Sequence, residues 1–277
     1  MKLCILSGKG GTGKTTLAVN LAYTLNCAYY DCDVEEPNGF IFLNPTAVSF
    51  EETLVDYPCV DYSLCTLCKD CVTACQFNAL AATKKEILLF KELCHGCHAC
   101  SLACKEGAIT FRKRAIGVVE KGIGHGIFTA RGVLNIGEPM AVPVIKHLLK
   151  QLKSSEDAIL DCAPGTSCNA VTTLRHADAA LIVTEPTVFG LNDMEIAVEL
   201  LNHVGLPFAA LINKSRGEDS LITEYCSKNG INLLGVIPFS KEAAIAYSKG
   251  KLLLELPEYK LAFEALSKQL KEAFAWN

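Results

Sequence analysis

The sequence predicts a doubly wound, mostly parallel α/β sheet with a smaller α+β domain inserted into it. Three patterns carry that expectation. Short apolar runs alternate with helical segments through most of the chain, the pattern of a parallel sheet covered by helices on both faces. A glycine-rich loop occupies the first turn from strand to helix. Between about Tyr57 and Lys113 cysteine displaces the alternation, so the sheet is expected from residues 1–56 and 114–277 and the insert from residues 57–113.

The first element is the apolar run Lys2 to Leu6, and Ser7-Gly8-Lys9-Gly10-Gly11-Thr12-Gly13-Lys14-Thr15-Thr16 follows it directly. Glycines at this spacing let successive N–H groups turn inward around a phosphate, and the helix that begins near Leu17 aims its positive end at the same point. Gly8, Lys9, Gly10, Gly11, Thr12, Gly13, Lys14, Thr15 and Thr16 are therefore the candidate nucleotide contacts. Lys14 is placed to meet the β and γ phosphates and the Thr15 hydroxyl to meet Mg²⁺. Ala28-Tyr29-Tyr30-Asp31-Cys32-Asp33 then reads as a buried strand ending in acids. At the carboxyl end of a parallel strand, beside a phosphate loop, such acids can orient water or hold Mg²⁺.

The formal net charge of -4 gives no electrostatic case for nucleic acid or an anionic membrane as a partner. Fifteen cysteines in a secreted chain would read as a disulfide framework. Here the phosphate loop begins at residue 7, which leaves no room for a signal peptide, and no apolar run reaches the length of a membrane span. Reduced thiols in a cytoplasmic, low-oxygen setting are expected.

Eight of the cysteines form an internal repeat. Cys65, Cys68, Cys71 and Cys75 superpose on Cys94, Cys97, Cys100 and Cys104 under a shift of 29 residues. This is the spacing of bacterial two-cluster ferredoxins, in which three close thiolates hold one corner of a [4Fe-4S] cubane and the fourth reaches the other cluster. Cys65, Cys68, Cys71 and Cys104 are expected to hold one cluster, and Cys75, Cys94, Cys97 and Cys100 the second. Each fourth cysteine is expected at the start of a short helix. Two complete sets favour clusters over zinc, and His95 and His98 are read as loop or surface residues. Ferredoxins usually carry proline after the fourth cysteine, where this chain has Gln76 and Lys105; Lys105 puts a positive charge near a cluster.

Beyond the insert, residues 115–138 read as a glycine-rich hairpin returning to the main sheet, followed by a helix over 142–152. Ala158-Ile159-Leu160-Asp161 is a second buried strand ending in an acid. Strands over 180–184, 208–213 and 233–237 alternate with helices over 192–204 and 221–229, and two short helices close the chain. The last carries Tyr259, Phe263, Leu266, Leu270 and Phe274 along one stripe without basic excess, so it is expected to dock on the sheet rather than on a membrane.

Lys9 is the unusual residue, since an ordinary phosphate loop needs one lysine. Lys9-Gly10-Gly11-Thr12-Gly13-Lys14-Thr15-Thr16 resembles the deviant Walker A loop of the MinD, Mrp and nitrogenase iron protein superfamily of P-loop ATPases, in which the extra lysine crosses to the nucleotide of a facing subunit. With the eight cysteines, Leu134-Asn135-Ile136-Gly137-Glu138-Pro139 and Thr184-Glu185-Pro186-Thr187, the chain is similar to members that contain an inserted ferredoxin domain. The resemblance implies ATP and Mg²⁺ as ligands, a homodimer with ATP at its interface, and ATP hydrolysis that is slow without a partner. It places Lys9, Lys14 and Asp33 in catalysis, with Asp33 positioning the attacking water and Asp31 structural. It places Asp161 with Thr15 at the Mg²⁺ shell, Gly165 near the γ-phosphate, and Asn213 and Pro238 against adenine.

Three functions fit that resemblance. One is an ATPase coupled to low-potential electron transfer through two [4Fe-4S] clusters to a redox partner. Another is a metallocluster assembly or carrier ATPase like Mrp, and the third a positioning ATPase like MinD with a structural ferredoxin module. The two complete cysteine sets favour the first. Cys168 stands in the loop where the nitrogenase iron protein has a cluster ligand; the plainer expectation for it is a small buried thiol.

Overall fold

The computed structural model describes residues 1–276. In them the chain forms strands β1 (Lys2–Leu6), β2 (Ala28–Asp31), β3 (Thr46–Val60), β4 (Leu80–Ala82), β5 (Ile87–Leu89), β6 (Ile109–Gly124), β7 (Ile127–Leu134), β8 (Ala158–Asp161), β9 (Ala179–Thr184), β10 (Phe208–Ser215) and β11 (Leu233–Pro238). The helices are α1 (Lys14–Leu25), α2 (Gly39–Leu43), α3 (Asp70–Ala74), α4 (Ala99–Ala103), α5 (Val142–Leu149), α6 (Cys168–Leu174), α7 (Val188–Val204), α8 (Ser220–Lys228), α9 (Lys241–Ser248) and α10 (Pro257–Phe274). Nine strands make one sheet in the order β11-β10-β9-β1-β8-β2-β7-β6-β3. All neighbours from β11 to β7 are parallel, and β7-β6 and β6-β3 are antiparallel.

Strand β1 lies in the middle with both faces covered, which is why its residues are apolar without alternation. Leu3 and Ile5 pack with α1 and α10 on one face. Cys4 and Leu6 pack with α5, α6, α7 and α8 on the other. The stripe on α10 is buried at Tyr259, Phe263, Leu266 and Leu270, as its period requires for a helix docked on the sheet. That helix is long, not short: it runs for 18 residues and is the longest in the molecule's described part. Its pattern continues through Lys260, Glu264, Lys268 and Lys271 on the outer face, which gives the backbone no reason to stop earlier. Among the described residues no helix is long and apolar enough to cross a membrane.

The expected hairpin is β6 and β7, turned by His125 and Gly126 at φ 49° and 84°, the left-handed pair that suits a two-residue hairpin turn. Strand β6 is twice as long as this hairpin needs. Its pairing with β7 begins only at Gly117, while its pairing with β3 continues back to Ile109. Residues 54–60 and 109–116 therefore leave the sheet as a two-stranded ribbon, roughly 20 Å long at the usual rise per residue. Where the ribbon departs, Ile116 of β6 is an extra, bulged residue opposite Thr53 and Leu54, which pair with Gly117 and Ala115. The composition breaks at residues 57 and 113 fall partway along this ribbon, so the cysteine-rich unit is joined by continuous hydrogen-bonded strands and not by loose linkers.

The direction of the ribbon follows from the register. Strand β7 runs parallel to β2 and β8, so its end at Leu134, opposite Gly117, lies at the carboxyl edge of the parallel strands. The ribbon leaves from that edge, which is also the edge where the loop after β1 sits. At its tip α3, α4 and the β4-β5 pair enclose a small core of Leu80, Ile87, Ile109, Cys71 and Cys100.

Phe263 is fully buried between the sheet and α10, whereas Leu261 is 67% exposed. Phe263→Ala is expected to lower unfolding stability by about 3–5 kcal/mol and Leu261→Ala by less than about 0.5 kcal/mol, measured by denaturant titration.

Candidate functional site

The loop from Ser7 to Gly13 is held on both sides by close approach. A Cβ on Gly8 would lie 2.4 Å from the Asp193 carbonyl oxygen of α7, and one on Gly13 2.4 Å from Asn213 Nδ2. Gly11 and Gly13 also take φ of 82° and 86°, a conformation that glycine enters without steric cost. The Ser7 hydroxyl donates to the Lys9 carbonyl at 2.8 Å, and the Gly165 N–H donates to the Ser7 carbonyl at 2.9 Å. Gly165 is thus brought against the loop across more than half the sequence.

A cavity of about 540 Å³ opens over this loop and reaches from Asp33 to Pro238, Phe239 and Tyr247. Every loop residue from Lys9 to Thr16 lines it. Thr12 Oγ1 is buried there without a hydrogen-bond partner, as a polar atom meant for a ligand would be. The cavity is charged at the loop end and apolar at the other, which fits a triphosphate joined to a flat base. Asn213 lines it beside the loop, and Pro238 lines its apolar end. Asn213 Nδ2 donates to the Thr12 carbonyl at 2.7 Å, and the Pro238 carbonyl accepts from the Tyr259 hydroxyl at 2.7 Å, so both brace the wall they belong to.

Behind the loop lies a buried cluster of charge. Lys14 Nζ donates to Asp161 Oδ1 at 3.1 Å, with Asp161 fully buried. Burial alone would lower the Lys14 pKa, but the charges of Asp161 and Asp33 outweigh it and hold the ammonium well above its usual range. Asp33 is pushed up to about 6 by burial, against the opposing pull of Lys14. Asp31 is pushed up to about 8 by burial and by the charge of Asp161. Its carboxylate accepts from the Tyr29 hydroxyl at 3.1 Å and the Gly39 N–H at 2.9 Å. Thr15 lines the cavity close by. These are oxygen donors of the kind Mg²⁺ takes together with phosphate.

Lys9 is half-buried and turned toward its own chain, 3.7 Å from Glu185 Oε2. The other Glu185 oxygen accepts from Lys214 Nζ at 2.8 Å, and Lys214 also donates to the Gly11 carbonyl. Glu185 and Lys214 were not singled out as site residues from sequence. Nor was Tyr29, although its place two residues before Asp31 in a strand puts both side chains on one face.

In the cysteine-rich unit the thiols ring two separate cavities of equal size, about 20 Å³ each. Cys65, Cys68, Cys71 and Cys104 line the first, and Cys75, Cys94, Cys97 and Cys100 the second. The donor set suits an iron–sulfur cubane: four thiols, an apolar surround that includes Val60 and Ile109 at one and Leu80 and Phe111 at the other. Among the described residues no group of three or more His, Cys, Asp or Glu could hold a single metal ion. The Ala79 N–H donates to Cys75 Sγ and the Ala108 N–H to Cys104 Sγ, each at 3.3 Å.

Two expectations are corrected here. Cys75 and Cys104 end the short helices α3 and α4 and do not start others, because each helix is a single turn whose chain must swing away to carry its last cysteine to the far cavity. Cys168 is exposed, not buried, since it opens α6 just after the loop at the sheet's carboxyl edge. His95 and His98 are exposed as expected, yet both are stacked, His95 on Phe77 with centroids 3.7 Å apart and His98 on Phe111 at 4.0 Å. His98 Nε2 also lies 3.1 Å from Asp56 Oδ2 on the ribbon.

A mostly parallel sheet with this loop at its central strand defines a nucleotide-binding protein of the P-loop class. More narrowly, residues 3–254 match the CobQ/CobB/MinD/ParA nucleotide binding domain, and the chain belongs to that family. It is 31% identical to the Methanocaldococcus jannaschii protein MJ0579 over 96% of both chains. An iron-sulfur cluster carrier protein of Pyrococcus horikoshii is 25% identical over 90% of this chain and 77% of its own length. The septum site-determining protein MinD of Pyrococcus horikoshii OT3, solved with Mg-ADP, superposes with a TM-score of 0.60 at 20% identity, covering 98% of this chain and 96% of that one.

Asp31 carries a pH dependence. An unfolded chain releases this proton near pH 4, whereas the folded protein keeps it to about pH 8, so the folded state binds the extra proton between those values. The stability that Asp31 contributes is complete below about pH 4 and falls as pH rises toward 8, at up to about 1.4 kcal/mol per pH unit. Asp31→Asn is expected to flatten that slope in denaturant midpoints of nucleotide-free protein taken at pH 5 and pH 8.

Proposed function

We propose that this protein is an ATPase whose nucleotide-driven dimerisation is coupled to electron transfer through two [4Fe-4S] clusters held by the cysteine-rich unit. The observation that carries the reading is the placement of the two thiol sets around two separate cavities, on a ribbon that leaves the same sheet edge as the phosphate loop. In this reading Lys14 and the N–H groups of Gly10 to Thr16 bind the phosphates of ATP. Thr15 and Asp161 hold the water shell of Mg²⁺, and Asp33 orients the attacking water. Its pKa near 6 leaves Asp33 ionised at neutral pH and able to accept a proton.

Lys9 acts across the interface. Its contact with Glu185 is long and half-exposed, the kind of ion pair worth at most about 1 kcal/mol, so a second subunit's nucleotide can draw it away. Asn213 and Pro238 contact adenine. When bound, each cluster supplies one reversible low-potential electron. The cysteines fix its position, and the N–H bonds to Cys75 and Cys104 orient those two thiols.

A second reading, a cluster carrier, is supported by the carrier proteins of Pyrococcus among the relatives. Complete four-thiol sets argue against it, because a cargo site that must release its cluster gains from incomplete ligation. Anaerobically purified protein is expected to hold about eight iron and eight sulfide per chain. A reversible one-electron EPR signal that survives incubation with an apo-ferredoxin supports electron transfer. Loss of iron to that acceptor supports carriage, and zinc in place of iron removes both.

Mg-ATP is expected to produce a dimer in sedimentation. Lys14→Ala should abolish ATP binding, whereas Lys9→Ala should bind ATP and fail to hydrolyse it. Normal hydrolysis by monomeric Lys9→Ala would exclude the shared site.

A further inference from the structure

Tyr29 is a phenol inside a parallel sheet, fully buried on the face that packs against α1 and α2. A buried hydroxyl is costly unless it is bonded, and this one has two partners. Its Oη lies 3.0 Å from Asp161 Oδ2 and 3.1 Å from Asp31 Oδ2. The same Asp31 oxygen accepts the Gly39 N–H at 2.9 Å, and the other accepts the Asp33 N–H at 3.2 Å. Residue 39 is shaped to the phenol: a Cβ there would stand 2.3 Å from Tyr29 Oη, and its φ is not one that demands glycine. Asp161 is thereby tied through two side chains to the first residue of α2.

The connection continues outward. The Arg131 guanidinium of β7 sits over the Phe40 ring, 4.5 Å from its centroid, and its Nη1 donates to the Pro37 carbonyl at 3.3 Å. Its Nε donates to Glu120 Oε2 of β6 at 2.7 Å. Beside it the Leu134 N–H donates to the Val34 carbonyl at 2.8 Å. The segment from Asp33 to Phe40 is gripped by Asp31 at Asp33 and Gly39 and by β7 at Val34, Pro37 and Phe40, and Glu120 joins β7 to β6, the strand that continues into the ribbon.

We propose that Tyr29 and Arg131 are positioning residues that transmit the state of the magnesium site at Asp161 to the ribbon. The proposal rests on the nucleotide and magnesium reading given above. Without nucleotide, Asp161 spends one oxygen on Lys14 and the other on Tyr29. A phosphate bound at the loop would draw Lys14 off, and Asp161, holding the water shell of Mg²⁺, would turn its carboxylate. The Tyr29 hydroxyl follows it or falls back wholly on Asp31, and the Asp31 bond to Gly39 shifts with it. Discrete repartnering of this kind is how a packed network carries a change between sites. Arg131 then moves with Pro37 and Phe40, and Glu120 with Arg131.

Hydrogen exchange of the full chain, purified anaerobically, tests this without reading catalysis. Wild type is compared with ATP plus EDTA and with Mg-ATP over a range of magnesium. Mg-ATP is expected to protect residues 8–16 and to change exchange in residues 39–43, 54–60 and 109–116. In Tyr29→Phe the loop is still protected, the magnesium needed for half the effect rises about tenfold as for other lost partners of a metal-bound group, and the ribbon response disappears. Gly39→Ala, which displaces the same hydroxyl with Tyr29 intact, should reproduce that pattern. In Arg131→Gln the loop and residues 39–43 respond at the wild-type magnesium concentration and the ribbon does not. A wild-type ribbon response retained in the phenylalanine and glutamine variants overturns the relay, as does a wild-type ribbon that is indifferent to Mg-ATP while the loop is protected. If ATP leaves the loop itself unprotected, the nucleotide reading fails and the relay falls with it.

Discussion

A buried ammonium 3.1 Å from a buried carboxylate, Lys14 on Asp161, is the contact around which this molecule is arranged. Neither group could be left alone at that depth, since an unpaired buried charge costs several kcal/mol. The pair brings the start of α1 to the end of β8, and with them the two segments that flank the cavity. It also bears on the rest of the acid cluster. Burial first, and the charge of Asp161 beside it second, push Asp31 up to about 8, so it keeps its proton at neutral pH and fills the role of a neutral spacer.

Much of this was legible in the chain. The loop, its strand and its helix follow from local order alone, and the acids ending β2 and β8 follow from the rule that parallel strands present their carboxyl ends to ligands. The crosswise pairing of the cysteines follows from the repeat. What could not be read is long-range and depends on register. A ribbon formed by residues 54–60 and 109–116 requires two segments about fifty residues apart to pair, and nothing in either predicts the other. Tyr29 looked like one more apolar strand residue because only tertiary structure places Asp161 against its hydroxyl. Helix α6, seven residues beginning after Ser167, is too short to show a period.

The repeat also hides an asymmetry that only packing reveals. Lys69 and His98 occupy matching positions with matching left-handed backbones, at φ 72° and 64°, as do Leu67 and Gly96 at φ 57° and 61°. In the first copy leucine takes this position, partly buried against the unit's small core. In the second, a Cβ on Gly96 would stand 2.9 Å from the Asp56 carbonyl, and His98 pairs with the Asp56 side chain. The second half of the repeat is therefore docked along the ribbon at Asp56, and the first half packs against the ribbon's end at Val60 and Ile109.

The bulge at Ile116, opposite Thr53 and Leu54, gives the ribbon a mechanical character. Bulges bend and twist the strand that carries them, and this one lies where two strands take over from nine. Beyond it the ribbon has no third strand to stiffen it, while Ile116 itself is fully buried and its carbonyl is held by the Asn135 N–H. The arrangement is a lever with a clamped fulcrum. A bend of about ten degrees there would sweep the end of an arm roughly 20 Å long through roughly 4 Å. Shifts at the nucleotide edge no larger than the length of one hydrogen bond would become, at the cysteines, a displacement wide enough to expose or cover a contact surface.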